Sequence, residues 1–285
     1  MSQFYNNAKT LILLTVLTCL IVWIGGVIGG NDGLLIALVI CAIMNFGSYF
    51  YSDKIALATM HATEVGPEHP LYRIVARLIE RAGLPMPRVY VSPAMAPNAF
   101  ATGRNPHHAA VCATEGLLQM LSEDQIAGVM SHELAHVKHR DILITSIAAT
   151  IAGAIGFLAH NFWWFGGAFG MGGNRRDRGS NILELLAIMI FGPIAAFLIQ
   201  AAISRSREFN ADSGGAEICG HPEWLASALQ TLENANQRIP TDVNPAFNAM
   251  FITEPLNLRN SLAGLFKTHP PLEARLRNLI GRDHV

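Results

Sequence analysis

The chain has 285 residues, 51% of them hydrophobic and only 14% charged, with a formal net charge of −1. So even a balance gives no electrostatic footprint for nucleic acid, and no nucleic-acid partner is expected. Four scattered cysteines without C-x-x-C spacing exclude a disulfide framework and a thiolate zinc site, and fit a reducing compartment.

The apolar excess is concentrated in runs. Leu11 to Gly30 and Leu34 to Tyr51 carry no charge, and each is long enough, at 1.5 Å per residue, to span about 30 Å of hydrocarbon. Residues 1–52 therefore read as an N-terminal transmembrane hairpin with its tip at Gly25 to Gly33. The length of the first run and the lack of a small-residue cleavage site argue against a signal peptide.

Residues 53–141 read as the first part of a catalytic domain. Pro70 to Ala82 has a helical apolar side, stopped by Gly83 and Pro85. Short strands follow at Arg88 to Ser92, Asn98 to Gly103 and His108 to Thr114, separated by Pro and Gly turns. Asn98, Ala99, Phe100, Ala101 and Thr102 are the candidate edge that would hold an extended substrate by backbone hydrogen bonds. An ordinary buried strand accounts for the same pattern.

Ser122 with Gln125 three residues on signals a helix start, and Ile126, Val129, Met130, Leu134 and Val137 continue at mostly helical spacing. On that helix lies Ser131-His132-Glu133-Leu134-Ala135-His136. Residues four apart share a face, so His132 and His136 can hold one Zn²⁺, while Glu133 points about 100° around the helix to reach a water on the metal without ligating it. Two surface histidines on an amphipathic helix would be the plainer explanation. A catalytic zinc needs a third protein ligand. Glu208 is the candidate, with Asp212 one turn on as the carboxylate that accepts a ring N–H from a ligand histidine.

Residues 142–203 hold two further apolar runs, Ile142 to Phe165 and Ile182 to Ile203, read as a second transmembrane hairpin. His132, His136 and Glu208 flank these runs and must meet at one ion, so an even number of crossings separates them. Lys9, Lys54, Lys138, Arg140, Arg205 and Arg207 crowd the side shared by both termini, which places the site in the cytoplasm. Arg175, Arg176 and Arg178 at the second tip oppose this, and a shallow hairpin that does not fully span is the alternative. Phe162 to Phe165 resemble an interfacial aromatic belt. Residues 204–285 form the second part of the catalytic domain, with an amphipathic helix over Pro222 to Asn236 and a short one over Leu272 to Ile280. The fold class is α+β, mainly helical: four transmembrane helices and a cytoplasmic catalytic domain with a small β-sheet.

The stretches SHELAHVKHRD, SRSREFNADSGGA, NAFATGRNPHHAAVCATEGLL and THPPLEAR together resemble the HtpX family of membrane-embedded zinc metalloproteases, related to the CAAX prenyl endopeptidases of the gluzincin-like group. The resemblance covers essentially the whole chain. It implies a zincin-like domain, one Zn²⁺ per subunit held by His132, His136 and Glu208, Glu133 as general base and acid, and substrate on the strand around Ala99 to Thr102. It further implies that His269 donates to the oxyanion and that Arg275 supports this region. Its expected role is quality control of damaged membrane proteins at the cytoplasmic face of the bacterial inner membrane, with the lipid bilayer and unfolded proteins as partners. Oligomeric state is not legible. An intramembrane protease is disfavoured because charged residues place the motif outside the apolar run. A metal transporter lacks a mid-bilayer cluster of ligands. A non-proteolytic zinc scaffold would need no base at position 133.

Overall fold

A computed structural model of the chain describes residues 3–143, 145–147, 205–236 and 270–281. Most of the expected second hairpin, including its aromatic stretch and arginine-rich tip, and His269 lie outside the described residues.

Helical residues run without interruption through α1, Gln3–Thr59, yet α1 is not one straight rod. A Cβ built on Gly26 would lie 3.8 Å from the Leu34 Cβ, whereas eight residues of straight helix rise about 12 Å. The chain reverses at Gly30, whose φ of +58° is open to glycine and strained for other residues. Ala37 and Cys41 on the returning arm are buried, while Leu35, Ile36, Val39, Ile43 and Phe46 are exposed. Among the described residues no helix is long and apolar enough to cross a membrane.

After α1 come β1 (Thr63–Glu64) and α2 (Pro70–Ala82). The sequence makes α2 a well-delimited helix: Pro70 occupies its first turn, His69 accepts from the Leu71 N–H, and Gly83 closes it in the left-handed conformation. Then come β2 (Arg88–Ser92), β3 (Ala99–Gly103), β4 (Ala109–Thr114), the short α3 (Glu115–Met120) and α4 (Glu123–His139). The strands form one mixed sheet of order β1-β2-β4-β3, with β2 and β4 parallel and the other pairs antiparallel. β3 is therefore an edge strand. Asn98 lies just before it, its carbonyl accepting from the Thr114 N–H at 2.9 Å.

α4 runs through the centre of the domain against α2, β3, α5 (Arg205–Cys219) and α6 (Pro222–Asn236). Its start is the capping box the spacing predicts: Ser122 Oγ accepts from the Gln125 N–H at 3.3 Å, and the Gln125 side chain accepts from the Ser122 N–H at 3.0 Å. Val129, Met130, Leu134 and Ala135 have no solvent exposure and pack with Leu225, Leu229 and Leu232 of α6. The final helix α7 (Leu272–Ile280) rests on α5 and α6.

Candidate metal centre

Two helices distant in sequence supply the donors, and a glycine sets how closely they approach. A Cβ on Gly215 of α5 would come within 2.9 Å of the His132 backbone on α4. Without that side chain the helices meet almost backbone to backbone, and the first turn of α5 delivers Glu208 to the face of α4 that bears both histidines. His132 Nε2 lies 3.7 Å from one Glu208 oxygen and His136 Nε2 lies 3.6 Å from the other. All three donor atoms fall within 4.8 Å of one another. Bonds of about 2.0–2.1 Å in a tetrahedral site put ligand atoms roughly 3.4 Å apart, so the two histidine–glutamate separations fit a zinc-sized ion.

Each imidazole is oriented from behind. His132 Nδ1 lies 3.0 Å from Asp212 Oδ1, and Asp212 is gripped by Arg275 through Nε to Oδ2 at 3.0 Å and Nη2 to Oδ1 at 2.6 Å. Arg275 Nη2 is also 3.5 Å from His132 Nδ1. A metal on Nε2 requires the proton on Nδ1, so the shorter contact to Asp212 is the one that orders the ring. His132, Asp212 and Arg275 are all at least 98% buried. His136 Nδ1 lies 3.3 Å from Asp141 Oδ2. Asp141, absent from the sequence reading, is brought there by Arg140: its φ of +60° ends α4, and the Asp141 N–H then bonds back to the His136 carbonyl at 3.0 Å. An aspartate directly after a helix terminus that carries a metal motif was the available signal.

Glu133 is buried beside the donors and does not belong to their set. Its Oε2 accepts from the Ala101 N–H at 2.9 Å. The Asn98 to Thr114 hydrogen bond fixes the alternation along β3. Asn98, Phe100 and Thr102 direct their backbone groups at β4, while Ala99, Ala101 and Gly103 direct theirs at the unpaired edge, along which every residue of β3 is buried. Only alternate members of the five-residue stretch can thus bind an extended chain through the backbone. The edge is closed at one end, where the Ser146 hydroxyl meets Thr102 Oγ1 at 2.8 Å and the Gly103 N–H at 3.4 Å.

Electrostatics follow from this crowding. Burial pushes the Glu133 carboxyl up, and so does Glu208; the flanking imidazoles and the Ala101 N–H pull it down, and the balance lies above the ordinary value. Burial works against charge on His136, yet Asp141, Glu208 and Glu133 outweigh it and carry the imidazole up to about 9. Burial also works against Asp212, and Arg275 followed by His132 holds it down at about 2. A ligating imidazole must be neutral. Metal uptake at pH 7 is therefore expected to release about one proton from His136, with affinity rising as pH rises toward about 9. Titration calorimetry in buffers of different ionisation enthalpy measures that release; none in any buffer would show His136 already neutral.

A metal-sized set of two imidazoles and a carboxylate, with a buried glutamate held beside it against a sheet edge, defines a metallopeptidase. Residues 66–283 match the model of peptidase family M48, and the chain belongs to that family. A protein named Protease HtpX homolog from Syntrophotalea carbinolica is 55% identical over 275 residues, covering 96% of this chain and 98% of that one. Protease HtpX of Legionella pneumophila is 48% identical over 277 residues, again covering 96% and 98%. Among solved structures, the crystal structure of S. mikatae Ste24p matches with a TM-score of 0.51 at 17% identity. That match covers 97% of this chain and 66% of that longer one, and it speaks for the fold alone.

Proposed function

We propose that this metallopeptidase is an integral-membrane zinc endopeptidase that cleaves misfolded or damaged membrane proteins at the cytoplasmic face of the bacterial inner membrane. The observation that carries the peptidase chemistry is the Ala101 N–H on Glu133: it ties the unpaired edge of β3 to the side chain that would move protons. A polypeptide lying along Ala99 and Ala101 as an added strand passes beside Glu133 and the donor set. Bound at His132, His136 and Glu208, Zn²⁺ would polarise the scissile carbonyl and acidify a water. Glu133 takes the water's proton and later gives it to the departing amine. Its raised pKa suits this exchange, since the group must be able to hold the proton between the two transfers. His269, outside the described residues, keeps the oxyanion role that the resemblance implies.

The membrane reading is supported by α1. Large apolar side chains stay bare on its returning arm, with Ile43 at 67% and Phe46 at 62% exposure, and Trp23 on the first arm is 66% exposed. A helix apolar on its outer faces is stable only in lipid or against a partner. The cytoplasmic face is read from the charge pattern of the loops, and the inner-membrane location and quality-control role are what the family resemblance implies.

The first experiment adds Zn²⁺ to chelated, detergent-purified protein and follows cleavage of an unfolded polypeptide. Cleavage is expected to depend on zinc. Glu208→Ala, which leaves two donors, should bind zinc at least about a hundredfold more weakly and require correspondingly more to act. Zinc-independent cleavage, or a Glu208→Ala variant with unaltered affinity, would remove this assignment.

A further inference from the structure

Away from the metal centre, the end of α1 and the β3–β4 connection border a cavity of about 440 Å³. Its walls include Tyr49, Phe50 and Lys54 of α1, Arg88 of β2, and Arg104 and His107 of the connection. Tyr49, Phe50 and Tyr51 close the apolar run of α1, and all three are at least 40% exposed. Phe50 packs with Phe46 and Tyr49 at centroid distances of 4.5 and 4.9 Å. Such an aromatic group at the end of an apolar helix marks the level of lipid headgroups.

Cations converge at that level. The Arg104 guanidinium lies 5.3 Å over the Phe50 ring, and the Lys54 ammonium lies 5.3 Å from the Tyr51 centroid. Neither makes an ion pair among the described residues. Asp53, the one carboxylate on the cavity wall among the described residues, is already engaged by Arg88 Nη2 at 2.7 Å. Arg88 in turn donates to the Tyr90 hydroxyl at 3.2 Å, and that hydroxyl donates to Glu64 at 2.9 Å. Arg88 is thus matched, and the net charge facing the cavity comes from Lys54 and Arg104, with His107 beside them.

We propose that this cavity is a binding site for the phosphate of an anionic phospholipid headgroup. This rests on the membrane reading of α1. Two unmatched cations supply the charge, a guanidinium gives directional donors to phosphate oxygens, and the aromatic floor receives the glycerol and upper acyl carbons. Lys54 comes from the helix and Arg104 from the catalytic domain, so a single headgroup would bridge the two and fix the height of the domain above the bilayer.

The test uses the full chain, zinc-loaded, in a nonionic detergent. It is titrated calorimetrically with short-chain phosphatidylglycerol, short-chain phosphatidylcholine and inorganic phosphate. Saturable binding of phosphatidylglycerol is expected, with at least tenfold weaker binding of the other two. Lys54→Gln/Arg104→Gln should lose about tenfold or more of that affinity, while Arg104→Lys alone retains most of it. Zinc affinity reports that each variant is folded, and the single Arg104→Gln replaces the double variant if the latter is not. Equal binding of both lipids, an unaffected variant, or inorganic phosphate binding as tightly as the lipid would each overturn the proposal. A carbonate wash of native membranes tests the underlying reading separately: protein released by the wash removes the membrane assignment whatever the titration gives.

Discussion

Glu133→Gln is expected to take up zinc as the parent does and to cleave peptide about 10²–10⁴ times more slowly, the span that a positioned general base and acid contributes. The amide keeps the shape of the side chain and leaves His132, His136 and Glu208 untouched, so metal content should not fall. It can still accept from the Ala101 N–H, 2.9 Å away in the parent, and the strand edge should hold its position. What disappears is an oxygen able to carry a proton. Zinc content measured by atomic absorption, beside single-turnover cleavage, separates binding from chemistry. Cleavage at the parental rate would show that another group moves the proton.

Arg275→Met should be the most damaging change among those away from the donors. It strands the Asp212 carboxylate, which has no solvent exposure, and breaking one side of a buried pair costs about 3–5 kcal/mol. Thermal unfolding should show that loss. Replacing both members, as Arg275→Met with Asp212→Leu, should recover much of the stability, because no buried charge is left behind. Zinc affinity should not recover, since His132 Nδ1 then lacks its acceptor; a 10- to 100-fold weakening is expected. Recovery of both would mean that Asp212 does not orient the ligand.

The same pair gives acid sensitivity a definite sign. Asp212 sits at about 2 in the fold against an ordinary 3.8. Its contribution is fully present above about 4 and is lost as pH falls toward about 2, amounting to roughly 2 kcal/mol.

The donors were legible because helical spacing is local. Four residues separate His132 from His136 and Glu208 from Asp212, so their shared faces follow from 3.6 residues per turn. The edge strand was legible as a strand, but not its usable side, which depends on its register with β4. Asp141 escaped because it becomes a neighbour of His136 only through the left-handed turn at Arg140, a conformation that an arginine does not advertise. Arg275 entered through resemblance to a family. Nothing in a short helix at the chain's end shows that its guanidinium will lie on Asp212, a contact 63 residues away in sequence. The pairing of Arg88 with Asp53 and the stacking of Arg104 on Phe50 were equally hidden, being meetings of a strand and a loop with a helix that no periodicity encodes.

The centre draws on positions 132, 136, 208, 212 and 275, spread over half of the chain. A nascent polypeptide that has emerged only as far as α4 owns two imidazoles and the glutamate between them, which is not a working site. The third donor comes with α5, and the guanidinium that steadies Asp212 comes later still, with α7. Assembly of the centre therefore waits until α7 has been made, and a protease born among other unfolded chains stays harmless while it is itself unfolded.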